Sequence, residues 1–438
     1  MRLESKMPPS SGYNTGHMQM GVDYPAIAQE LCEEYHPISY NKQIYIYTDD
    51  GTYKINNSEI ENAIIQKIKE RRHSGTKSFT EPIKQILTLI WADTSVNDYP
   101  FNNVTNKIPV NNGVLTIDVK TKNISLESHS PKFLFTYKLP VDYNTDVNPN
   151  EITDYFKSLD VDMTLLLQIP AHSLLSMMGK NYKKCYLLKG HRNSGKTTYL
   201  NLLEKGLFGN ANSSNIPLHE IVNDRFKASG LVGKIVNIAD ELPRIRLGDL
   251  SRFKALTGGG TILVERKYQN PFSIQNKAVL IFATNDYPPI TDIDDEAFWS
   301  RWGLIEFNKM FDVDPTFEER IITPENCSAM LNLVLKRMIE IDESGRINSQ
   351  SIKEVKDMWL HGSDPLYRFI STRLKRDIDG LIGKTELYGL YKQYCKENNE
   401  IPVSDIEFNR KMIEHGSLLK QKVVNEKRFR CYLGFVLK

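Results

Sequence analysis

The sequence predicts an α/β fold with a parallel sheet at its centre, in roughly the middle third of a 438-residue chain. Short apolar runs at Lys183–Lys189, Lys234–Ala239 and Ala278–Ala283 alternate with helical stretches as far as about Asn308. That is the rhythm of strands joined by crossover helices. Each run ends abruptly in glycine-rich, acidic or amide residues, the pattern of a sheet whose functional side chains gather at the strands' carboxyl ends. With 40% hydrophobic and 25% charged residues, the chain has the composition of a globular protein.

Residues 1–22, rich in Ser, Gly, Met and Pro without periodicity, read as a flexible tail. Residues 23–150 read as a small α+β lead-in domain. In it, Gln43–Thr48 and Thr52–Ile55 form strands around the Asp49-Asp-Gly51 turn. Ser58 is expected to cap a helix that runs to Arg71, with Ile60, Ile64, Ile65 and Ile68 at helical spacing. Another turn at Asn111-Asn-Gly113 separates two β-rich runs. Residues 151–324 hold the parallel sheet, 325–363 a helical connector, and 364–438 two or three helices followed by an alternating run at Phe429–Leu437.

Lys plus Arg (56) nearly balance Asp plus Glu (54), for a formal charge of +2. This excludes a protein coated in positive charge and leaves room for a local basic path. The cysteines, Cys32, Cys185, Cys327, Cys395 and Cys431, are dispersed and odd in number. They argue against a disulfide framework or zinc site and suit a reducing cytosol. No apolar run approaches the length of a membrane span. A cytoplasmic protein is expected, in the host cytosol if the gene is viral or phage-borne, with no membrane partner.

Gly190-His191-Arg192-Asn193-Ser194-Gly195-Lys196-Thr197 matches G-x-x-x-x-G-K-[ST] at every fixed position. The glycines allow a backbone curl whose N–H groups face phosphate oxygens. Lys196 is expected on the β- and γ-phosphates of ATP, and the Thr197 hydroxyl on Mg²⁺. Thr198 completes the binding segment at the start of a helix whose dipole favours the anion. Downstream, Lys234-Ile-Val-Asn-Ile-Ala-Asp-Glu241 ends in two carboxylates. Asp240 is expected to support Mg²⁺ and Glu241 to polarise the attacking water. The run Ala278–Ala283 ends in Thr284-Asn285, an amide expected to hydrogen-bond the γ-phosphate or the lytic water as a sensor.

These motifs, taken with Phe253-Lys-Ala-Leu-Thr-Gly-Gly-Gly260 through Lys267-Tyr-Gln-Asn-Pro271, resemble the superfamily 3 helicases of the phage, plasmid and poxvirus primase-helicase type. The likeness extends upstream to Asn112–Ile117, His129-Ser-Pro131 and Leu139-Pro140, and downstream to Asp364-Pro-Leu-Tyr-Arg-Phe369. The resemblance implies an AAA+ P-loop ATPase core, a winged-helix-like C-terminal domain and a hexameric ring. It also implies a β-hairpin reaching into the ring channel. The family commonly carries two arginines after the sensor, whereas this chain reads Phe298-Trp-Ser-Arg-Trp302. Arg301 is thus the candidate arginine finger. A polymerising primase domain needs its own carboxylate cluster and more residues than the N-terminal 150 offer alongside the lead-in domain, so any priming activity is expected to come from another protein.

Thr261–Val264 and Phe272–Ile274 flank a polar tip, Glu265-Arg-Lys-Tyr-Gln-Asn270. Arg266, Lys267 and Tyr268 combine cation and ring, the equipment for gripping single-stranded nucleic acid. Lys420, Lys422, Lys427, Arg428 and Arg430 form a basic stretch that suits either duplex backbone or a solubilising edge. The expectation is therefore an ATP-dependent ring helicase acting on single-stranded and forked DNA. The alternative is a P-loop ATPase that serves as a replication initiator or remodeller without unwinding.

Overall fold

The computed structural model describes residues 22–71, 78–240, 250–268, 270–288, 295–347, 350–424 and 427–438, with backbone alone for 422–424, 427 and 428. The expected tail (all but residue 22) and Glu241 lie outside the described residues. The chain divides into two compact units: residues up to Asn102 with Ser130–Thr136, and Asn103–His129 with Tyr137–Lys438.

In the first unit a helix, Tyr24–Tyr35, precedes a three-stranded antiparallel meander of Ile38–Tyr40, Gln43–Tyr47 and Tyr53–Ile55. The turn at 48–52 is closed by Thr48 and Asp50. The Asp50 carboxylate accepts from the Thr48 hydroxyl at 2.7 Å and from the Thr52 N–H at 3.1 Å. The helix Asn57–Arg71 buries Ile60, Ile64 and Ile68 on one face. Its cap is Asn56, whose side chain accepts from Glu59 N–H at 3.2 Å. Ser58 is not the cap; its hydroxyl donates to Asn56. A third helix, Thr80–Thr94, completes a core of isoleucines with Leu31 and Ala28.

In the second unit the chain first makes an antiparallel sheet of Lys107–Val110, Gly113–Asp118 and Asn123–Glu127. Two helices, Asn150–Ser158 and Met163–Met177, lead into the central sheet. That sheet has five parallel strands in the spatial order Trp302–Phe307, Cys185–Gly190, Val279–Thr284, Val236–Ala239 and Ser213–Ser214. Its inner strands are buried along nearly their whole length. Both faces must therefore be covered, as parallel sheets require. The sequence marks three of these strands as apolar runs. The spatial order adds that Val279–Thr284 lies between the phosphate-loop strand and the acidic strand.

Between the acidic strand and its neighbour in the sheet the chain inserts a helix, Leu250–Gly258, and an antiparallel hairpin, Thr261–Val264 with Phe272–Gln275. Downstream of the sheet, Pro324–Ser344 and Ile352–Ser363 are separate helices. Gly345, at φ +62°, ends the first, and a Ser351–Glu354 capping box starts the second. The C-terminal stretch runs helix Pro365–Arg373, strand Leu374–Gly383, helices Lys384–Glu397 and Asp405–Glu414, then strands Leu418–Val424 and Lys427–Leu437. Its antiparallel sheet places Lys427–Leu437 in the middle. A separate apolar cluster including Phe369, Tyr391, Phe408 and Tyr432 holds it together. No helix among the described residues is long and apolar enough to cross a membrane.

Candidate functional site

The loop 190–197 follows the buried strand Cys185–Gly190 and opens the helix Lys196–Asn201, which continues as a π-helical turn through Phe208. Asn193 (φ +60°) and Gly195 (φ +87°) are left-handed, with Ser194 between them outside that region. Such alternation is how a chain curls its N–H groups around an anion. A side chain at Gly195 would be strained at this φ, and its Cβ would sit 2.7 Å from the Leu159 side chain, which would have to shift. At Gly190 a Cβ would meet the Phe307 carbonyl at 2.5 Å, so the loop strand packs hard on Trp302–Phe307.

Lys196 is folded into this curl and is 8% exposed. Its ammonium donates to the carbonyls of Gly190 and His191, the latter at 2.9 Å, and to the Ser194 hydroxyl at 3.2 Å. Burial pushes its pKa below the ordinary lysine range, and the nearby Asp240 carboxylate draws it back up. Thr197 stands at the first turn of the helix, and its hydroxyl lies 3.4 Å and 3.5 Å from the two Asp240 oxygens. Lys196 and Asp240 are 44 apart in sequence, yet the fold brings the Thr197 hydroxyl and the Asp240 carboxylate together. Among the described residues no group of three or more His, Cys, Asp or Glu is placed to hold a metal. A cation here would depend on Thr197, Asp240, water and a ligand's own oxygens.

Asn285 is exposed at the tip of Val279–Thr284. The turn beneath it is fixed by Thr284, whose hydroxyl donates to the Asp286 carbonyl and accepts from the Asp286 N–H at 3.2 Å. Behind it lies a set of side chains that no motif announces. Lys189 pairs with Glu306 at 3.1 Å, Tyr287 donates to the same carboxylate at 3.1 Å, and Lys189 stands 5.1 Å above the Tyr287 ring centre. Trp359 packs on Tyr287 and donates its indole N–H to the Pro288 carbonyl at 2.8 Å. These contacts tie the Asn285 loop to the strand that feeds the phosphate loop and to the helix Ile352–Ser363. The helix comes close at Gly362, where a Cβ would lie within 2.3 Å of the Tyr287 ring.

Arg301 does not join this group. It immediately precedes Trp302–Phe307, whose first residue pairs with Cys185 and whose last pairs with Gly190. At roughly 3.3 Å per residue it is about 20 Å from its own phosphate loop, at the opposite edge of the sheet. Its guanidinium donates to the Ala297 carbonyl.

The hairpin keeps Ile262 and Val264 buried against the core and turns Leu263 outward. Glu265 anchors the base of the tip: its carboxylate pairs with Arg225 at 2.6 Å and its N–H donates to the Arg225 carbonyl at 3.1 Å. Beyond it Arg266 lies 5.4 Å from the Phe272 ring centre, and Lys267 is exposed. Tyr268 is fully exposed and left-handed at φ +64°.

Three family models match the chain: "D5 N terminal like" over residues 28–164, a family of unknown function (DUF5906) over 188–301, and "Poxvirus D5 protein-like" over 361–436. No protein with a curated description matches it. Solved structures similar to the chain include "The apo structure of NrS-1 C terminal region (305-718)" and "The A form apo structure of NrS-1 C terminal region-CTR". Each is 14% identical and covers 94% of this chain and 100% of its own, with TM-scores of 0.48 and 0.47. The two D5 matches flank the phosphate loop on either side, and over those residues the chain is similar to the D5 proteins of poxviruses.

Proposed function

We propose that the chain is an ATP-dependent, ring-forming DNA helicase of the superfamily 3 AAA+ type, serving replication of a viral, phage or plasmid-like element. The observation that carries this reading is the Thr197–Asp240 pair beside the Lys196 loop. Neighbouring ligands around an octahedral Mg²⁺ with bonds of about 2.1 Å are about 3.0 Å apart, so 3.4 Å needs only a small adjustment. Lys196 would exchange its hydrogen bonds to Gly190, His191 and Ser194 for β- and γ-phosphate oxygens. When bound, Mg²⁺ supplies neutralisation of the phosphate charge. Asp240 and Thr197 orient it, Glu241 holds the lytic water, and Asn285 senses the γ-phosphate. The remainder of the 190–198 segment, His191, Arg192, Asn193, Ser194 and Thr198 with the two glycines, encloses the phosphates.

Hexameric assembly is favoured by Arg301, whose distance from its own loop leaves a neighbour's γ-phosphate as its target. The C-terminal order of helix, strand, two helices and two strands supports a winged helix that meets forked DNA, with priming left to a separate primase. Arg266, Lys267 and Tyr268 at the hairpin tip are the channel contacts to single-stranded DNA.

Glu241→Gln is expected to bind ATP and hydrolyse it at least about 100-fold more slowly, because the change removes basicity and keeps shape. Nucleotide-binding titrations alongside steady-state turnover check this; unchanged turnover would transfer the base to another residue.

The helicase reading itself is tested at Lys267. Lys267→Ala is expected to weaken single-stranded DNA binding and stop unwinding while ATPase without DNA stays near wild type. Removing one cation that neutralises a phosphate also flattens the salt dependence of binding, by about 0.7 in logarithmic slope. If affinity, salt slope and unwinding are all unchanged, the hairpin is not the DNA grip, and an ATPase that remodels protein becomes the better account.

A further inference from the structure

The phosphate loop has two sides, and strand order tells them apart. Asp240 and Asn285 follow strands on one side of Cys185–Gly190, and Trp302–Phe307 is its neighbour on the other. Thr197 faces Asp240, so the terminal phosphates of a nucleotide in the loop lie toward the acidic strand. The nucleoside, at the far end of the phosphate chain, then leaves on the side of Trp302–Phe307. The residues met there are the continuation of that strand, 308–313.

This continuation is stitched to the loop. The Phe311 N–H donates to the Asn193 carbonyl at 2.9 Å. The Phe311 ring closes over Gly195, where a Cβ would come within 3.4 Å of it. Lys309 stands 5.4 Å from the same ring centre. Yet the apolar residues on either side of Phe311 are left in water: Met310 is 68% and Val313 75% exposed. Single exposed apolar residues are ordinary. Two of them in a six-residue segment bonded to a phosphate loop, on the side where the nucleoside must emerge, are a surface of the kind that a nucleobase covers.

We propose that residues 309–313 form a nucleobase lip, in which Met310 and Val313 close on the base of the nucleoside triphosphate whose phosphates the 190–197 loop holds. Phe311 is the positioning residue that sets the lip against Asn193 and Gly195. The inference rests on the nucleotide-binding reading above and adds the element that grips the base.

The test compares two probes by calorimetric titration in Mg²⁺: a slowly hydrolysed ATP analogue, and inorganic tripolyphosphate, which carries the phosphates without a base. The double variant Met310→Ser with Val313→Ser changes exposed positions only, so the full-length protein is expected to melt as wild type does. Its affinity for the ATP analogue should fall about tenfold, from the apolar area that a base no longer covers, with tripolyphosphate binding unchanged. An equal loss for both probes would show that the segment merely shapes the loop, and no loss for either would place the base elsewhere; each overturns the lip. If the wild-type protein binds tripolyphosphate and the ATP analogue equally well, the lip fails while the phosphate loop stands. If it binds neither, the nucleotide reading fails and the lip with it.

Discussion

Lys196→Ala is expected to abolish ATP hydrolysis, with turnover down by at least about 100-fold, the scale set by removing one preorganised electrostatic interaction from a transition state. The reason lies in where the ammonium sits. It is enclosed by the curl it serves and held by Gly190, His191 and Ser194. A methyl group leaves those acceptors facing incoming phosphates with no positive charge to balance them. Burial already disfavours the charged form of Lys196, and the Asp240 carboxylate opposes that, so loop and acidic strand act on one group. The fold should tolerate the change. The hydrogen bonds removed are local to the loop, and the sheet's apolar packing does not involve them. A shift of a few degrees in melting temperature is the expected scale for about 1–2 kcal/mol in a domain of this size. Turnover and thermal melting on the same preparation decide it; near-normal hydrolysis with an unchanged melt would remove the assignment of the phosphate cradle.

Arg301→Ala is expected to bind ATP as wild type does and to lose at least about 1,000-fold in turnover, the scale of an arginine finger supplied by a neighbour. Arg301 stands at the start of a strand whose far end pairs with Gly190, so a nucleotide in its own loop would be out of reach, and in the proposed ring an adjoining subunit's would be its target. Mixing Arg301→Ala with Lys196→Ala protein should then restore part of the activity, because some interfaces in a mixed ring combine an intact loop with an intact arginine. The readout is ATPase against mixing ratio, with subunit exchange shown independently. Exchange without rescue would contradict a finger that acts between subunits.

Local chemistry was legible in the sequence where a residue type has one use. The loop 190–197 was readable because the curl needs glycine at φ +87° and lysine inside it. The turn at 49–51 and the isoleucine stripe of Asn57–Arg71 were readable from composition and period. What periodicity does not encode is non-local pairing. The strand Ser213–Ser214 has two small polar residues and no apolar signal, yet it forms the sheet edge beside Val236–Ala239. Nor could the order of strands be read, and with it the fact that the strand leading to Asn285 lies between the phosphate-loop strand and the one leading to Asp240. Leu374–Gly383 was missed for a different reason. Its charged middle, Lys375-Arg-Asp-Ile-Asp379, breaks alternation, and its register shifts between Arg376 and Leu381. The helical connector expected over 325–363 is broken at Gly345. The Lys189–Glu306–Tyr287 cluster and the 308–313 segment carry no motif at all; only the folded strand order brings them to the loop.

In the proposed helicase one ring couples the Lys196–Thr197–Asp240 site to DNA held by the Lys267 hairpins. Imaging the purified protein by electron microscopy with a slowly hydrolysed ATP analogue and single-stranded DNA tests it most directly. Closed rings are expected, with Arg301 of each subunit at the next subunit's phosphates and a single strand in the channel against Lys267 and Tyr268. Single subunits under those conditions, or rings whose DNA lies on the outer surface away from the hairpins, would contradict it.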